Sequence, residues 1–345
     1  MTMSQTTGSR TRAYGEFLAA ILYFFIARSL ARHGAEGLFN EVWSPLVSQA
    51  MLCFLLILGF AAFGRMFNRQ QHAISEQGLP WRDSWHGEVG LGLAIGWSVA
   101  VVCVLPLALI GGIAIVLSPQ FSYWGWLLSD IAFFAFAALA EEVAFRGYAF
   151  QRFVAVVGPL GASLGFAVFY AIVQSLQPGS SGISIAVSMV FTLVLSMAYL
   201  RTRALWLSWG LNFGWKASRA IIFGLTVCGV SSHSSVVEGN PMGPYWLTGG
   251  GYGLDGSWLA FFVLLLAVPV VYRVTRDLDF RYNAPVIVPG GIPVDLDAAS
   301  RSQHEAAMGS AEPAAPPLVQ IATAPTPPAH GQSDESAGNT PPEGH

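Results

Sequence analysis

Long apolar runs separated by short polar segments dominate the chain from residue 14 to residue 275. Eight of these runs are long enough to be membrane helices. They lie near residues 14–31, 44–64, 88–117, 124–145, 159–177, 183–200, 204–224 and 255–275. Arg28 interrupts the first run, the third is long enough to tilt or to kink at Pro106, and the seventh contains Asn212, Lys216 and Arg219. The pattern predicts an all-α fold, a polytopic bundle of about eight transmembrane helices.

The composition agrees with a membrane protein. Apolar residues make up 53% of the 345 positions and charged residues only 11%, whereas a soluble domain carries about 25% charged residues. So few charges cannot cover a globule of this size, which excludes a soluble domain and makes membrane lipids the expected surroundings. The three cysteines (Cys53, Cys103 and Cys228) lie in apolar contexts and have neither disulfide-framework nor metal-site spacing.

Charge is distributed unevenly between the body of the chain and its C-terminal end. The whole chain has 17 basic and 20 acidic residues, a net charge of −3. From Asn283 onward seven acids and one base give −6, so residues 1–282 carry 16 − 13 = +3. This is too small a charge to indicate a nucleic-acid partner. Residues 283–345 also hold 11 of the 20 prolines and no aromatic residue, which predicts a disordered tail.

The basic residues also predict an orientation in the membrane. With a cytoplasmic N-terminus over residues 1–13, twelve arginines fall at inner helix ends or in inner loops. They are Arg10, Arg12, Arg65, Arg69, Arg82, Arg146, Arg152, Arg201, Arg203, Arg273, Arg276 and Arg281. Only Arg28 and Arg32 fall clearly outside. By the positive-inside rule, we expect a transmembrane domain over residues 14–282 with both termini in the cytoplasm.

Ionisable residues inside the predicted spans are the first candidates for function, because a charge in a bilayer is costly. The densest group is Glu141, Glu142 and Arg146 at the inner end of the fourth span. Glu142 and Arg146 are four residues apart, so they can pair on one helix face, while Glu141 points about 100° away. A solvated, paired helix end is the alternative interpretation. Asp130 is a weaker candidate, because it lies near the outer end of its span, where we expect it to be solvated.

Two later segments accompany this group. Residues 170–174 run from Tyr170 to Gln174, and residues 212–216 place Asn212 and Lys216 on one face of a helix. Small residues at Gly158, Gly161 and Gly165 are typical of a helix-packing face.

Glu141, Glu142 and Arg146 form the sequence Glu-Glu-x-x-x-Arg. With the two later segments in order, the chain resembles the CAAX-protease and bacteriocin-processing (CPBP, or Abi) family of intramembrane metalloproteases. The resemblance covers roughly residues 75–270 and implies an eight-helix membrane fold. The loop at residues 223–257 resembles a bacterial subgroup, so we expect an integral, multi-pass protein of a bacterial inner (plasma) membrane.

The second and third motifs depart from the family pattern, which is Phe-x-x-x-His followed by His-x-x-x-Asn or Asp. Tyr170 stands for the phenylalanine and Gln174 for the histidine of the second motif. Asn212 and Lys216 stand for the histidine and the Asn or Asp of the third. Amide oxygens are poor zinc ligands, and an ammonium cannot bind a cation. We therefore expect no metal or other cofactor, whereas retained family activity would imply zinc. His233, in the outer loop, is the one histidine that is a candidate for a displaced ligand.

Lys216 suggests a different role for the same position. Its ammonium could supply the positive charge that a metal supplies in the family, by pairing with Glu141.

Three functions remain open on the sequence. The first is an active endopeptidase, in which Glu141 or Glu142 activates water for attack on prenylated C-terminal peptides or membrane-bound leader peptides. The second is a non-catalytic protein that binds a peptide or partner protein in the former cleft. The third is an ion or proton pathway.

Overall fold

The computed structural model describes residues 7–118, 120–231, 234 and 236–283. The predicted disordered tail lies outside the described residues, apart from Asn283. The longer helices are α1 (Thr7–Leu38), α2 (Ser44–Asn68), α4 (Trp85–Leu109), α5 (Phe121–Arg146), α6 (Tyr148–Ser175), α7 (Gly182–Thr202), α8 (Leu205–Ala217) and α10 (Trp258–Val274). The shorter ones are α3 (Ala73–Glu76), α9 (Tyr245–Thr248) and α11 (Arg276–Asn283).

Each of the eight predicted spans corresponds to one of the longer helices, so the all-α prediction is confirmed. Five helical stretches are long and apolar enough to cross a membrane, and the fourth of them, residues 123–175, contains both α5 and α6. Helix α10 is apolar but shorter, and the 13-residue α8 carries buried polar side chains. This architecture is that of an integral membrane protein.

Most of the buried apolar side chains belong to two clusters, and a third, smaller one contains Phe134, Ala220 and Val227. An aromatic cluster, which includes Phe60, Phe145 and Phe166, joins α1, α2, α5 and α6. An aliphatic cluster joins α4, α7, α8 and α10. Helix α5 contacts both α2 and α8, so its C-terminal end lies where the two halves of the bundle meet. Glu141 and Glu142 are carried to this position.

Glycines let α4 and α8 approach until their backbones touch. Gly92 and Gly96 of α4 face Gly210 and Gly214 of α8 in parallel register. A Cβ atom added at Gly210 would lie 2.3 Å from the carbonyl oxygen of Val89, closer than any real contact. Such small-residue faces hold membrane helices together by close van der Waals packing. The close approach fixes the short α8, and with it Asn212 and Lys216, against the longer α4.

The third predicted span is too long at its C-terminal end. Helix α4 ends at Leu109, and residues 113–117 form strand β1 (Ile113–Leu117), which pairs antiparallel with β2 (Val237–Pro241). The break falls at Gly111, whose φ of +76° ends the helix, and the β-branched residues that follow favour a strand. The predicted span near 88–117 is therefore wrong at its C-terminal end, beyond Leu109.

Helix α6 bends at Gly158, which has a φ of +81° and is followed by Pro159. The segment after the bend matches the predicted span at 159–177. In the expected packing face at Gly158, Gly161 and Gly165, the space above Gly165 is filled by Phe153 from the first half of the same helix. Gly158 allows the bend of α6, and Gly165 leaves room for Phe153 beside it.

A substitution in the glycine interface should separate α4 from α8. We predict that Gly210→Ala lowers the free energy of unfolding by roughly 1–3 kcal/mol, because the added methyl group must displace the Val89 backbone. The measurement is equilibrium unfolding of the purified protein in mixed detergent micelles. Gly90→Ala is the matched control, since a Cβ there meets nothing within 4 Å and should be neutral or slightly stabilising. Equal effects of the two changes would contradict the interface.

Candidate functional site

Glu142 and Arg146 form an ion pair that is completely enclosed by the bundle. The Arg146 Nη1 atom lies 3.2 Å from Glu142 Oε1, and the two side chains are 1% and 0% exposed. Arg146 also donates through Nη2 to the backbone carbonyl of Thr192 on α7, at 3.2 Å. The pair predicted from the spacing of four residues is present, and it ties the end of α5 to α7.

Glu141 points toward α8, where it meets Lys216. The Lys216 Nζ atom lies 2.5 Å from both carboxylate oxygens of Glu141. Lys216 is nearly buried, while the Glu141 side chain remains 29% exposed. The pairing hypothesised from the sequence is therefore what the structure contains.

Asn212 joins the two carboxylates. Its side-chain amide nitrogen donates to Glu141 Oε2 at 3.1 Å and to Glu142 Oε1 at 2.9 Å. Asn212 is fully buried one helical turn before Lys216, so both side chains lie on the face of α8 that meets α5. The four charged groups around this amide, namely Glu141, Glu142, Arg146 and Lys216, sum to zero charge.

A cavity of about 280 Å³ opens beside this cluster. Glu141 and Lys216 reach it from one side, and Tyr170 and Gln174 from α6. Glu142, Arg146 and Asn212 do not line it. Of the seven motif positions, the structure thus brings four to the cavity wall and places the other three behind them.

A second group of polar residues lies next to the first, around Asp255. The Asp255 Oδ2 atom is 2.7 Å from Arg219 Nη1, and Trp215 Nε1 donates to Oδ1 at 3.3 Å. Arg219 is fully buried in a π-helical turn, Ser218–Ile222, that continues α8. The pair anchors the segment before α10 to the end of α8.

Gln174 connects the two groups through Cys228. The Gln174 amide nitrogen donates to Cys228 Sγ at 3.2 Å, and the Cys228 thiol donates to Asp255 Oδ2 at 3.3 Å. Gln174 and Cys228 both line the main cavity. At the position of the histidine in the second motif, the Gln174 amide therefore belongs to a hydrogen-bonded chain of protein groups.

The donor set does not fit a zinc ion. Zinc requires imidazole, thiolate or carboxylate ligands with free lone pairs. Here an ammonium and an amide N–H group donate to the carboxylate oxygens that would serve as ligands. A divalent ion would also add +2 to a cluster that is already neutral. In the ranges that the structure describes, no three His, Cys, Asp or Glu side chains come together as a metal site.

The two weaker candidates have different outcomes. Asp130 is fully buried and accepts a hydrogen bond from the backbone N–H of Ser234 at 2.7 Å, so the expectation that it is solvated is wrong. The reason is that the backbone of Ser234 lies against α5 at this point. His233 lies outside the described residues.

Sequence reasoning missed three contributors to the site region. Asp255 is the first residue of the last predicted span. An acid at that position, with Arg219 in the preceding span, could have suggested a pair. Arg28 and Arg32 of α1 line the cavity. The feature of the sequence that could have indicated them is the interruption of the first apolar run by Arg28.

We predict that Lys216→Ala lowers the free energy of unfolding by about 1–3 kcal/mol. The change leaves Glu141 as an uncompensated charge inside the membrane domain, and the partial exposure of Glu141 keeps the cost below that of a fully buried pair. Adding Glu141→Gln removes the charge and should restore part of the loss. Equilibrium unfolding in mixed micelles measures both, and a double variant no more stable than Lys216→Ala alone would refute the pairing.

Part of the chain matches a known family. Residues 123–218 match the family model described as Type II CAAX prenyl endopeptidase Rce1-like. This is narrower than the resemblance over residues 75–270, but it contains every motif position from Glu141 to Lys216. No curated protein and no solved structure matches the chain. The predicted CAAX-protease resemblance is thereby confirmed, and the chain is a CAAX-protease-like membrane protein that carries the Rce1-like segment at residues 123–218.

Proposed function

We propose that the protein binds a membrane-anchored peptide or protein segment in the cavity beside Glu141 and does not cleave it. The observation that carries this proposal is the contact of Lys216 Nζ with both carboxylate oxygens of Glu141, at 2.5 Å each. In the family that the chain resembles, this carboxylate is expected to activate water beside a metal. Here its oxygens are engaged by an ammonium.

More than one substitution argues against metal-dependent catalysis. Peptide hydrolysis by a metalloprotease needs a bound cation that polarises the carbonyl and activates water. The replacement of two histidines by Gln174 and Asn212 removes the nitrogen ligands, and Lys216 adds a charge that repels a cation. The three substituted side chains are also compatible with one another, because each donates a hydrogen bond to another side chain of the protein.

The cavity supports retention of binding. It has a volume of about 280 Å³ and combines aromatic and aliphatic walls with a few polar groups, as ligand sites commonly do. Phe133, Phe134 and Phe145 from α5 form part of the apolar wall. An apolar side chain of a membrane-anchored segment would be buried there, while Gln174 and Gln177 offer hydrogen bonds to its backbone.

A second candidate is an active endopeptidase. It is favoured by the complete Glu-Glu-x-x-x-Arg sequence within the matched residues 123–218 and by the 29% exposure of the Glu141 side chain. In that case Glu141 would have to leave Lys216 in order to accept a proton from water.

We further propose that the protein lies in a bacterial plasma membrane with both termini in the cytoplasm. The bias of arginines supports this orientation. The helix ends and loops that carry these arginines also contact one another. Arg82 forms an ion pair with Glu88 and donates to the carbonyl of Thr202 at 3.1 Å, while Arg201 pairs with Asp279 at 3.4 Å.

The binding proposal predicts capture without cleavage. A photoreactive amino acid in place of Val173, which lines the cavity, should crosslink to a prenylated peptide with a CAAX sequence when the full chain is reconstituted in vesicles. Mass spectrometry should find the peptide intact. The matched control is the same substitution at Ile172, which is 55% exposed on the outside of α6 and should give at least about tenfold less crosslink.

Two results would contradict the proposal. Equal crosslinking at Val173 and Ile172 would show that the cavity does not bind the peptide. A shortened peptide that disappears in a Glu141→Ala/Glu142→Ala variant would establish the endopeptidase instead.

A further inference from the structure

Charge is not balanced around the cavity as a whole. The charged side chains that line it are three cations, Arg28, Arg32 and Lys216, and one carboxylate, Glu141. Three minus one gives a formal charge of +2. Since Lys216 and Glu141 neutralise each other, the excess comes from the two arginines of α1.

Neither arginine is strongly held by the protein. Arg32 pairs with Glu36 at 2.8 Å, but both side chains are at least half exposed, and such helix-surface pairs are weak. Arg28 is exposed and has no carboxylate partner among the residues that the structure describes. The two guanidinium groups are four residues apart, so they lie on one face of α1 at the cavity.

The position of Arg28 along α1 indicates its depth in the membrane. Arg10 and Arg28 are separated by 18 residues, which is about 27 Å along a helix axis, close to the thickness of the hydrocarbon core of about 30 Å. If Arg10 lies at one membrane surface, Arg28 lies at the headgroup level of the other.

Aromatic residues mark the same level. The ring centroids of Trp43, which precedes α2, and Trp126 of α5 lie 5.4 Å apart. Trp43 is five residues before Ser48, which lines the cavity. Tryptophan is typical of the interface between membrane and water. Ser48 and Gln49, one turn into α2, add a hydroxyl and an amide to the cavity wall near the arginines.

From this arrangement we propose that the mouth of the cavity is a binding site for the phosphate headgroup of an anionic phospholipid. Arg28 and Arg32 bind the phosphate by charge-assisted hydrogen bonds, and Ser48 and Gln49 donate to its remaining oxygens. The acyl chain lies along the apolar wall formed by Phe24 and Leu52. The site differs from an ordinary arginine at the membrane surface, because four polar side chains line the same cavity as the apolar wall.

The test uses the full chain, purified in a neutral detergent and mixed with phosphatidylglycerol or phosphatidylcholine. Native mass spectrometry counts the lipids that remain bound. We expect one phosphatidylglycerol retained per chain, with phosphatidylcholine retained about tenfold less. Arg28→Gln should reduce phosphatidylglycerol retention about tenfold, and Arg28→Lys should keep most of it.

Arg10→Gln is the matched control, because Arg10 is also an exposed arginine of α1 but does not line the cavity. Equal retention of the two lipids, or equal loss in Arg28→Gln and Arg10→Gln, would overturn the inference. Displacement of the lipid by a peptide with a free C-terminal carboxylate, but not by its amidated form, would assign the arginines to a peptide and overturn the lipid assignment.

Discussion

The contact between Lys216 and Glu141 is the interaction on which the rest of the site depends. A membrane domain cannot hold an isolated charge cheaply, so each carboxylate needs a cation or several hydrogen-bond donors. Glu142 obtains Arg146, and Glu141 obtains Lys216. The amide of Asn212 links the two pairs into one neutral cluster. That neutrality leaves no charge for a metal ion to compensate.

The packing of α4, α5, α7 and α8 holds this cluster together. Lys216 reaches Glu141 only because α8 lies close to both α4 and α5, and the glycines at the α4–α8 interface make that approach possible. Arg146 connects the cluster to α7 through the carbonyl of Thr192. The cavity is then left on the far side of Glu141, open to a ligand but separated from the buried half of the cluster. The cavity therefore reaches Glu141 and Lys216, while Glu142, Arg146 and Asn212 stay enclosed by the bundle.

Local sequence predicted the features that depend on spacing within one helix. The pairing of Glu142 with Arg146 follows from four-residue spacing, and the shared face of Asn212 and Lys216 follows from the same rule. Apolar run length predicted the long helices. Features that depend on distant segments could not be predicted in this way. The strand at 113–117 needs its partner at 237–241, and the ion pair between Arg219 and Asp255 joins residues 36 positions apart.

Zinc content of the purified full-length chain tests the central claim most directly. It should be measured beside a Glu141→Ala/Glu142→Ala control and beside a Gln174→His/Asn212→His/Lys216→Asn variant that restores the family's ligand types. The claim that Lys216 occupies the place of the metal predicts no zinc above the double-alanine control in the natural chain and a clear gain in the triple variant. Near-stoichiometric zinc in the natural chain, lost in the double-alanine control, would contradict it.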